Sequence, residues 1–310
     1  MASALTLVQP SGELSKKIRV ELNENLNTKA QDLAAIKEWL KKQPHLPDEW
    51  EDGCLVSFLR GSNFSLEKCK SKLDMYFTMR TACPEFFSNR DINRPELIDL
   101  YSRAEGLTLP GLTPQGRRVS IIRALDKTLD TQHLNDGMKI AFMVGDIRIR
   151  EEIEGVAGDV FVLDASILTP SHLAKVTPSL IKKFLICIQE AYPVKVKEVH
   201  VINISPVVDV AYNIVKPFVK EKIRKRVFFH NDASKLLDYI PKEILPTDFG
   251  GEGESMESLH NAWKLKLEEY TSWFKGQEQL KANESLRPGK PTNYDELFGI
   301  DGSFRQLDID

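Results

Sequence analysis

After residue 118 the chain alternates short apolar, β-branched runs with longer segments of helical periodicity. The strand-like runs are residues 119–125, 159–165, 198–204 and 226–232. Helical segments at about 133–152, 171–191 and 206–225 lie between them. Neighbouring parallel strands need a long crossover, so strands that alternate with helices in this way form βαβ units. The pattern therefore predicts an α/β fold with a mainly parallel sheet.

The residues before this region have the periodicity of helices instead. Leu33, Ile36 and Leu40 mark an apolar stripe in a helix predicted over 13–44, which Pro44 ends. Further helices are predicted over 50–60 and, after an N-cap at Ser65, over 66–81. The amino-terminal region is therefore predicted to be a small helical bundle.

The Gly/Pro-containing segment 109–118 separates this bundle from the α/β region and is predicted to be a turn. A last helix is predicted at about 255–276, and the polar tail from 283 is expected to be extended or mobile. We therefore divide the chain into a helical region at 1–105, an α/β domain at 106–254, and a carboxy-terminal helix with its tail at 255–310.

Composition excludes several classes of protein. The 310 residues include 42 basic and 45 acidic side chains, a balance that disfavours a dedicated nucleic-acid binder. No CxxC pair occurs among the four cysteines, which predicts reduced thiols, and the amino terminus lacks the apolar core of a signal peptide. No stretch approaches the roughly 20 apolar residues of a membrane span. These features predict a cytoplasmic protein.

Catalytic and metal-binding motifs are missing from the sequence. It contains no Walker loop, no HExxH, no GxSxG and no histidine pair at helical spacing. The string "FGGEGES" (249–255) is interpreted as a turn before a helix that Ser255 caps. Asp164, at the end of a predicted strand, could be a catalytic carboxylate or could hydrogen-bond locally. We therefore predict no enzyme activity, no metal and no cofactor.

The segment 206–225 is apolar around most of its circumference. Ser205 and Pro206 suit an N-cap and a first helical position, and Pro217 predicts a weak point near 213–217. The apolar residues of this helix are Val207, Val208, Val210, Ala211, Ile214, Val215, Phe218 and Val219. Such a helix is either buried on two sides or covers an apolar cavity as a hinged lid.

Two pairs of cations adjoin this helix. Continued at about 100° per residue, the helix would carry Lys222 and Arg226 on its apolar side. Lys195 and Lys197 alternate before the strand at 198–204, which places both on one side of an extended chain. Cations in such positions snorkel, pair with a carboxylate or bind a phosphate, and the charge pattern alone leaves these alternatives open.

Five strings, in this order and at these spacings, resemble the CRAL-TRIO (Sec14-like) family, and in particular its branch of tocopherol and retinaldehyde carriers. They are "FLRGSNFSLEKCKSKLDMYFTMR" (58–80), "FVLDASILTPSH" (161–172), "IQEAYPVKVKEVHVINIS" (188–205), "IVKPFVKEKIRKRVFFH" (214–230) and "LPTDFGGEG" (245–253). The resemblance implies a helical region beside an α/β lipid-binding domain, with a lid helix at about 206–221. It also implies a monomer that carries one hydrophobic ligand between membranes, with tocopherol, a retinoid, a carotenoid or another isoprenoid-like lipid as its cargo.

The resemblance further implies particular site residues. A cleft for phosphoinositide headgroups maps onto Lys195, Lys197, Lys222 and Arg226, with Ser62 in place of one further arginine. Two serines of the tocopherol pocket correspond to Ala141 and Gly145, which indicates a differently shaped ligand. The predicted ligand pocket consists of Phe142, Phe161, Leu163, Phe184, Ile188, Val201, Val208, Ala211, Ile214, Val215 and Phe218.

The expected partners are thus a small lipophilic ligand and an anionic membrane surface rich in phosphoinositides, which the cytoplasmic protein visits transiently. One alternative is a phosphoinositide-binding regulator or adaptor that transfers no cargo. A second alternative is an enzyme that uses Asp164 or a nearby histidine.

Overall fold

A computed structural model describes residues 5–299, and its amino-terminal region is helical as predicted. The helices of this region are α1 (Gly12–Glu21), α2 (Lys29–Leu40), α3 (Asp52–Gly61), α4 (Leu66–Ala82), α5 (Pro84–Phe87) and α6 (Pro95–Arg103). The prediction of one helix over 13–44 is wrong, because the chain leaves α1 after Glu21 and Asn23 adopts a positive φ of 56°. Ser65 occupies the N-cap position of α4, but its side chain forms no capping hydrogen bond.

A five-stranded sheet forms the centre of the α/β domain, with its strands in chain order across the sheet. The strands are β1 (Ala104–Leu112), β2 (Arg117–Ala124), β3 (Gly158–Asp164), β4 (Val196–Ile202) and β5 (Val227–Phe229). β1 pairs antiparallel with β2, and the remaining pairs are parallel. The four predicted strands and the mainly parallel sheet are therefore confirmed.

β1 itself overlaps the segment that the sequence predicted to be a turn. It contains Pro110 and Gly111, and its register with β2 shifts between Thr108 and Leu112. Proline is tolerated there because β1 is an edge strand, where one side needs no ladder hydrogen bonds.

The remaining helices are α7 (Thr131–Glu151), α8 (Pro170–Lys175), α9 (Pro178–Ile186), α10 (Pro206–Val215), α11 (Glu221–Arg224), α12 (Met256–Glu269), α13 (Thr271–Gln277) and α14 (Tyr294–Phe298). Of these, α7 agrees with its predicted segment, whereas the segments predicted at 171–191, 206–225 and 255–276 are each divided into shorter helices. The predicted helix at 171–191 is interrupted before Pro178, and α9 continues into a π-helical turn at Cys187–Ala191.

Ser255 caps α12 as predicted, since its side chain accepts a hydrogen bond from Ser258 N. Within the described residues, no helix combines the length and the apolar character needed to cross a bilayer.

One face of the sheet packs on the main hydrophobic core. Val119, Val160, Val162 and Ile202 point into this core, which also contains Trp263 of α12. A second core fills the helical region and includes one side of α7. The other face of the sheet is therefore the one available for a binding site.

A buried carboxylate joins the two parts of the fold. Asp146 of α7 accepts hydrogen bonds from Tyr76, Arg80, Arg90 and Tyr192, at donor–acceptor distances between 2.6 and 2.9 Å. Burial alone would raise the pKa of the Asp146 carboxyl. The two guanidinium groups and the hydrogen bonds nevertheless hold this pKa below its usual value.

The carboxy-terminal tail is packed on the helical region up to Gly299, so the prediction of an extended or mobile tail is wrong for residues 283–299. Asn283 N donates to His45 O at 2.8 Å. The Arg287 guanidinium holds the carboxylate of Asp74 through bonds of 2.8 and 3.0 Å, and Phe298 is buried beside α9. Residues 300–310 lie outside the described part of the chain.

Candidate functional site

The face of the sheet that points away from the main core is apolar but only partly covered. The strand register aligns Ile122, Leu163, Val201 and Phe229 in one row across β2–β5. Ile122, Leu163 and Phe229 are 41%, 36% and 39% exposed, respectively. A neighbouring row contains Phe161 and Val199, which are half-buried. Large apolar side chains exposed together in this way are typical of a binding surface.

Two helices form the cover of this face. α10 packs on α9 and on the 3₁₀ turn Lys216–Phe218. The edge of the cover is closed by Tyr212 of α10, whose ring centroid lies 5.1 Å from that of Phe229 in β5. Apolar side chains of the sheet and of the cover therefore face each other at this edge.

The covering helix ends at a hinge-like segment. α10 stops at Val215, before Pro217, and the backbone is extended at Val219. The predicted weak point at 213–217 is thus confirmed, whereas a continuous helix over 206–225 is wrong. Proline accounts for the interruption because it cannot donate a backbone hydrogen bond.

The side chain of Gln189 holds this segment in place. Its amide nitrogen donates to Phe218 O at 3.0 Å, and its amide oxygen accepts from Lys220 N at 2.8 Å. The carbonyl oxygen of Gln189 in turn accepts from the ammonium of Lys72 in α4. Gln189 therefore ties the end of the cover to the helical region, and an ion pair between Lys220 and Glu190 holds the same segment.

Most residues of the predicted ligand pocket belong to the open face of the sheet or to its cover. Phe161, Leu163 and Val201 belong to the open face of the sheet. Val208, Ala211, Ile214 and Val215 belong to α10, Phe184 to α9, Ile188 to the π-helical turn and Phe218 to the turn after α10. Val208 is buried and the other α10 positions of this set are half-buried. Phe142 lies deeper, in an aromatic cluster where its ring centroid is 5.4 Å from that of Phe184.

A basic cleft lies at the amino end of β4, where Lys195 immediately precedes the strand. The Lys195 ammonium donates to Asn63 Oδ1 at 2.5 Å. Lys197 forms an ion pair with Glu21, the last residue of α1. Burial, together with the charges of Lys197 and Lys222, lowers the pKa of Lys195 to about 8, while Glu21 and Asp159 act in the opposite direction.

Lys197 can lie there because Gly158 has no side chain. A Cβ atom at Gly158 would approach the Cγ and Cε atoms of Lys197 to 2.6 and 2.8 Å, and the φ of Gly158 is 151°. The neighbouring strand therefore leaves a passage for the lysine stem that any other residue would close.

Arg226 and Lys222 reach the same cleft by a different route from the predicted one. Because the helix is interrupted and the backbone is extended at Val219, the direction expected from a continuous helix does not apply to them. Arg226 donates to the carbonyl oxygen of Val196, the residue between the two lysines. Lys222 is exposed and has no hydrogen-bond or ion-pair partner among residues 5–299. The structure thus brings the four predicted cations together at one end of β4.

Three further residues were considered for a site role from the sequence, and the structure shows their surroundings. Ser62 is buried, and its hydroxyl has no hydrogen-bond partner among the described residues. Gly145 lies against Tyr192, and a Cβ atom there would be 3.1 Å from the ring, so its space is already occupied. Asp164 accepts from Ser166 N and from the Asn203 amide, both at 2.9 Å, which agrees with a local hydrogen-bonding role. No cluster of three or more potential metal-ligating side chains occurs among the described residues.

Sequence reasoning missed several residues of this site. Ile122 and Phe229 could have been found, because they continue the alternation of the predicted strands. Gln189, Asn63 and Glu21 carry no local signal, because their partners are distant in the chain.

The fold and the site together define an α/β domain with an exposed apolar sheet face beside a largely apolar helix, an arrangement suited to lipophilic molecules. A family profile described as "CRAL/TRIO domain" matches residues 103–251, and one described as "Pinta-like, UBA domain" matches residues 25–97.

Two relatives of known name and one solved structure align with most of the chain. An α-tocopherol transfer protein-like protein of Mus musculus is 30% identical over 261 residues, which cover 83% of this chain and 75% of the relative. Clavesin-2 of Rattus norvegicus is 28% identical over 243 residues, which cover 78% of this chain and 74% of the relative. The crystal structure of Sfh5 aligns with 96% of this chain and 100% of its own at 14% identity, with a TM-score of 0.43. The chain belongs to the CRAL/TRIO family.

Proposed function

We propose that the protein binds one lipophilic molecule between the open sheet face and its helical cover, and carries it between membranes. The observation that supports this most directly lies along β4. Lys195 and Lys197 lie at the amino end of this strand, where its register with β3 shifts, and Val199 and Val201 follow on the open face, so the basic cleft adjoins the apolar face. A site with a cationic mouth and an apolar interior suits a cargo that enters and leaves at an anionic membrane.

Apolar burial would supply most of the affinity for such a cargo. At about 25 cal/mol per Å², a ligand that buries a few hundred Å² gains on the order of 10 kcal/mol before ordering costs. A molecule held in this way leaves slowly into water. Its useful exit is therefore a bilayer.

The proposed cargo is a tocopherol, retinoid, carotenoid or other isoprenoid-like lipid. The name of the Mus musculus relative refers to α-tocopherol. In this chain Gly145 faces Tyr192, and Phe142 lies with Phe184 in the buried aromatic cluster. These aromatic rings occupy the side of the site near α7, so we propose that the cargo lies closer to the sheet and α10.

Docking at the membrane would use Lys195, Lys197, Lys222 and Arg226 to bind phosphoinositide headgroups. A basic residue near an anionic surface contributes about 1 kcal/mol to membrane binding. The cleft adjoins the segment in which α10 ends, so a headgroup bound there could favour opening of the cover. Cargo release would then be faster at phosphoinositide membranes than at neutral ones.

A transfer assay tests this function directly. Movement of a fluorescent lipophile from the protein to vesicles is followed with and without phosphatidylinositol bisphosphate in the acceptor. We expect faster release with the phosphoinositide, and loss of that difference in the double variant Lys222→Ala, Arg226→Ala. Equal rates on both vesicles, together with an unchanged double variant, would contradict membrane-assisted release.

The cargo itself is tested by mass spectrometry of the protein after mild purification. A stoichiometric lipophile that exchanges with added lipid supports transfer, and extraction then identifies it. If no exchangeable lipophile is bound, a phosphoinositide-binding regulator without cargo transfer becomes the better description.

A further inference from the structure

Acceptors from the helical region already engage both lysines of the cleft. The Glu21 carboxylate contacts the Lys197 ammonium, and Asn63 Oδ1 contacts that of Lys195. Glu21 also acts on Lys195 electrostatically, since its charge opposes the lowering of that lysine's pKa. One carboxylate thus lies where an anionic ligand of the two lysines would place its charge.

The position of Glu21 is unfavourable for a carboxylate on local grounds. It is the last residue of α1, and the carboxy-terminal end of a helix carries partial negative charge. Its backbone carbonyl accepts from the Asn63 amide at 3.3 Å, which fixes the end of α1 beside the cleft. The cation that offsets the Glu21 charge is Lys197, so the contact belongs to the cleft rather than to the helix.

We infer that Glu21 is an internal competitor for the headgroup site, holding Lys197 until an anionic phosphate displaces it. This inference rests on the proposed function of the cleft. The Glu21 side chain is 43% exposed, and ion pairs with that much solvent are weak. A phosphomonoester carries a charge of about −1.5 to −2 and three acceptor oxygens, so it can replace a single carboxylate.

Glu21 opposes the binding of some headgroups more strongly than that of others. A lipid with a single phosphodiester can bind at Lys222, which is exposed and unpaired among residues 5–299, and leave Glu21 in place. A headgroup with several phosphates also reaches Lys195 and Lys197 and must displace Glu21. Removal of the carboxylate should therefore strengthen binding of the polyphosphorylated headgroup most.

The test is the substitution Glu21→Gln, which keeps the size of the side chain and removes its charge. Affinity is measured for vesicles that contain phosphatidylinositol bisphosphate and for vesicles of equal surface charge that contain phosphatidylserine. We expect about fivefold tighter binding to the bisphosphate vesicles, equivalent to one added cationic contact, and a smaller change with phosphatidylserine.

Glu13→Gln is the matched control, because it removes the same charge from the first turn of α1, where Glu13 pairs with Lys16. Equal gains from the two variants would show a general charge effect and overturn the inference. The variant Lys197→Ala provides a second check: Glu21→Gln should bring little gain in that background, and a full gain there would also overturn it.

Soluble inositol trisphosphate separates the headgroup site from the membrane surface. We expect Glu21→Gln to bind it more tightly by calorimetry, and unchanged binding would overturn the inference. If the unaltered protein binds bisphosphate vesicles through Lys222 but Glu21→Gln changes nothing, only the competitor is wrong. If neither protein prefers phosphoinositide, the proposed docking function itself is wrong.

Discussion

Lys195 is the cleft residue whose pKa lies near neutral pH. Burial and two neighbouring cations bring its pKa to about 8, so it is largely charged at neutral pH and neutral at clearly alkaline pH. The phosphate ligand keeps its charge over this range, because its second pKa is about 6. We therefore expect affinity for phosphoinositide vesicles to fall as the pH rises from about 7 to about 9, through loss of the Lys195 charge.

Vesicle sedimentation across this pH range checks the prediction, with Lys195→Arg as the control, because arginine stays charged. The pH dependence should be much flatter in that variant. Lys72 also has a pKa of about 8, but it donates to backbone carbonyls away from the cleft. An arginine variant with the same pH dependence would assign the effect to a group other than Lys195.

Lys222 offers the simplest test of the cleft, because it is exposed and its removal breaks no contact among the described residues. Lys222→Ala should weaken binding to phosphoinositide vesicles about fivefold, the effect of about 1 kcal/mol, and leave the melting temperature unchanged. Lys225→Ala is the matched control, because Lys225 lies in the same basic segment but pairs with Glu221. Equal losses in both variants would indicate attraction by overall charge rather than a defined cleft.

At the scale of secondary-structure elements, the sequence predicted the strands and the helix interruption, because both depend on local residue patterns. The β-branched runs located β2–β5, and the family resemblance named Phe161, Leu163 and Val201, which the strand register places on one face. Pro217 located the interruption of the covering helix. The predicted direction of the side chains beyond Pro217 was wrong, because it assumed an ideal helix through Val219, whose backbone is extended. Lys222 and Arg226 reach the cleft through tertiary contacts that no local period describes.

The hydrogen bonds of Gln189 should slow the opening of the cover. Gln189→Ala removes the two hydrogen bonds that hold Phe218 and Lys220, each of which contributes about 1 kcal/mol when it must break for opening. Together the two bonds correspond to about 2 kcal/mol, so we expect release of a bound lipophile to vesicles to become up to about thirtyfold faster. Amide hydrogen exchange in 206–220 should rise as well, and by more than in the sheet.

Gln189→Glu is the control for this experiment, because it should have an intermediate effect. Glutamate keeps the acceptor for Lys220 N and loses the donor to Phe218 O, so its release rate should lie between those of the other two proteins. If all three proteins release cargo at the same rate, the Gln189 contacts do not limit opening.

At the scale of the whole molecule, the helical region and the α/β domain are joined by polar contacts that composition does not reveal. Asp146 lies on α7, yet its partners come from α4, from the segment before α6 and from the segment before β4. The packed tail is a similar case: its polar sequence predicted no structure, and Arg287 secures it through Asp74. Such long-range pairs are invisible to periodicity, because neither partner alone departs from an ordinary surface pattern.

Asp146→Asn should therefore destabilise the protein as a whole, by about 3–5 kcal/mol, because it leaves two buried guanidinium groups without their anion. Chemical denaturation at neutral pH measures the loss, and Asp52→Asn is the control, since Asp52 forms an exposed pair with Lys37 that is worth about 1 kcal/mol or less. The pKa of Asp146 is lower in the folded protein than its ordinary value of 3.8, so its stabilising effect is complete above that value. The difference between wild type and Asp146→Asn should stay constant from neutral pH down to about 4 and shrink only in stronger acid. A variant as stable as Asp52→Asn would show that Asp146 does not join the two parts of the fold.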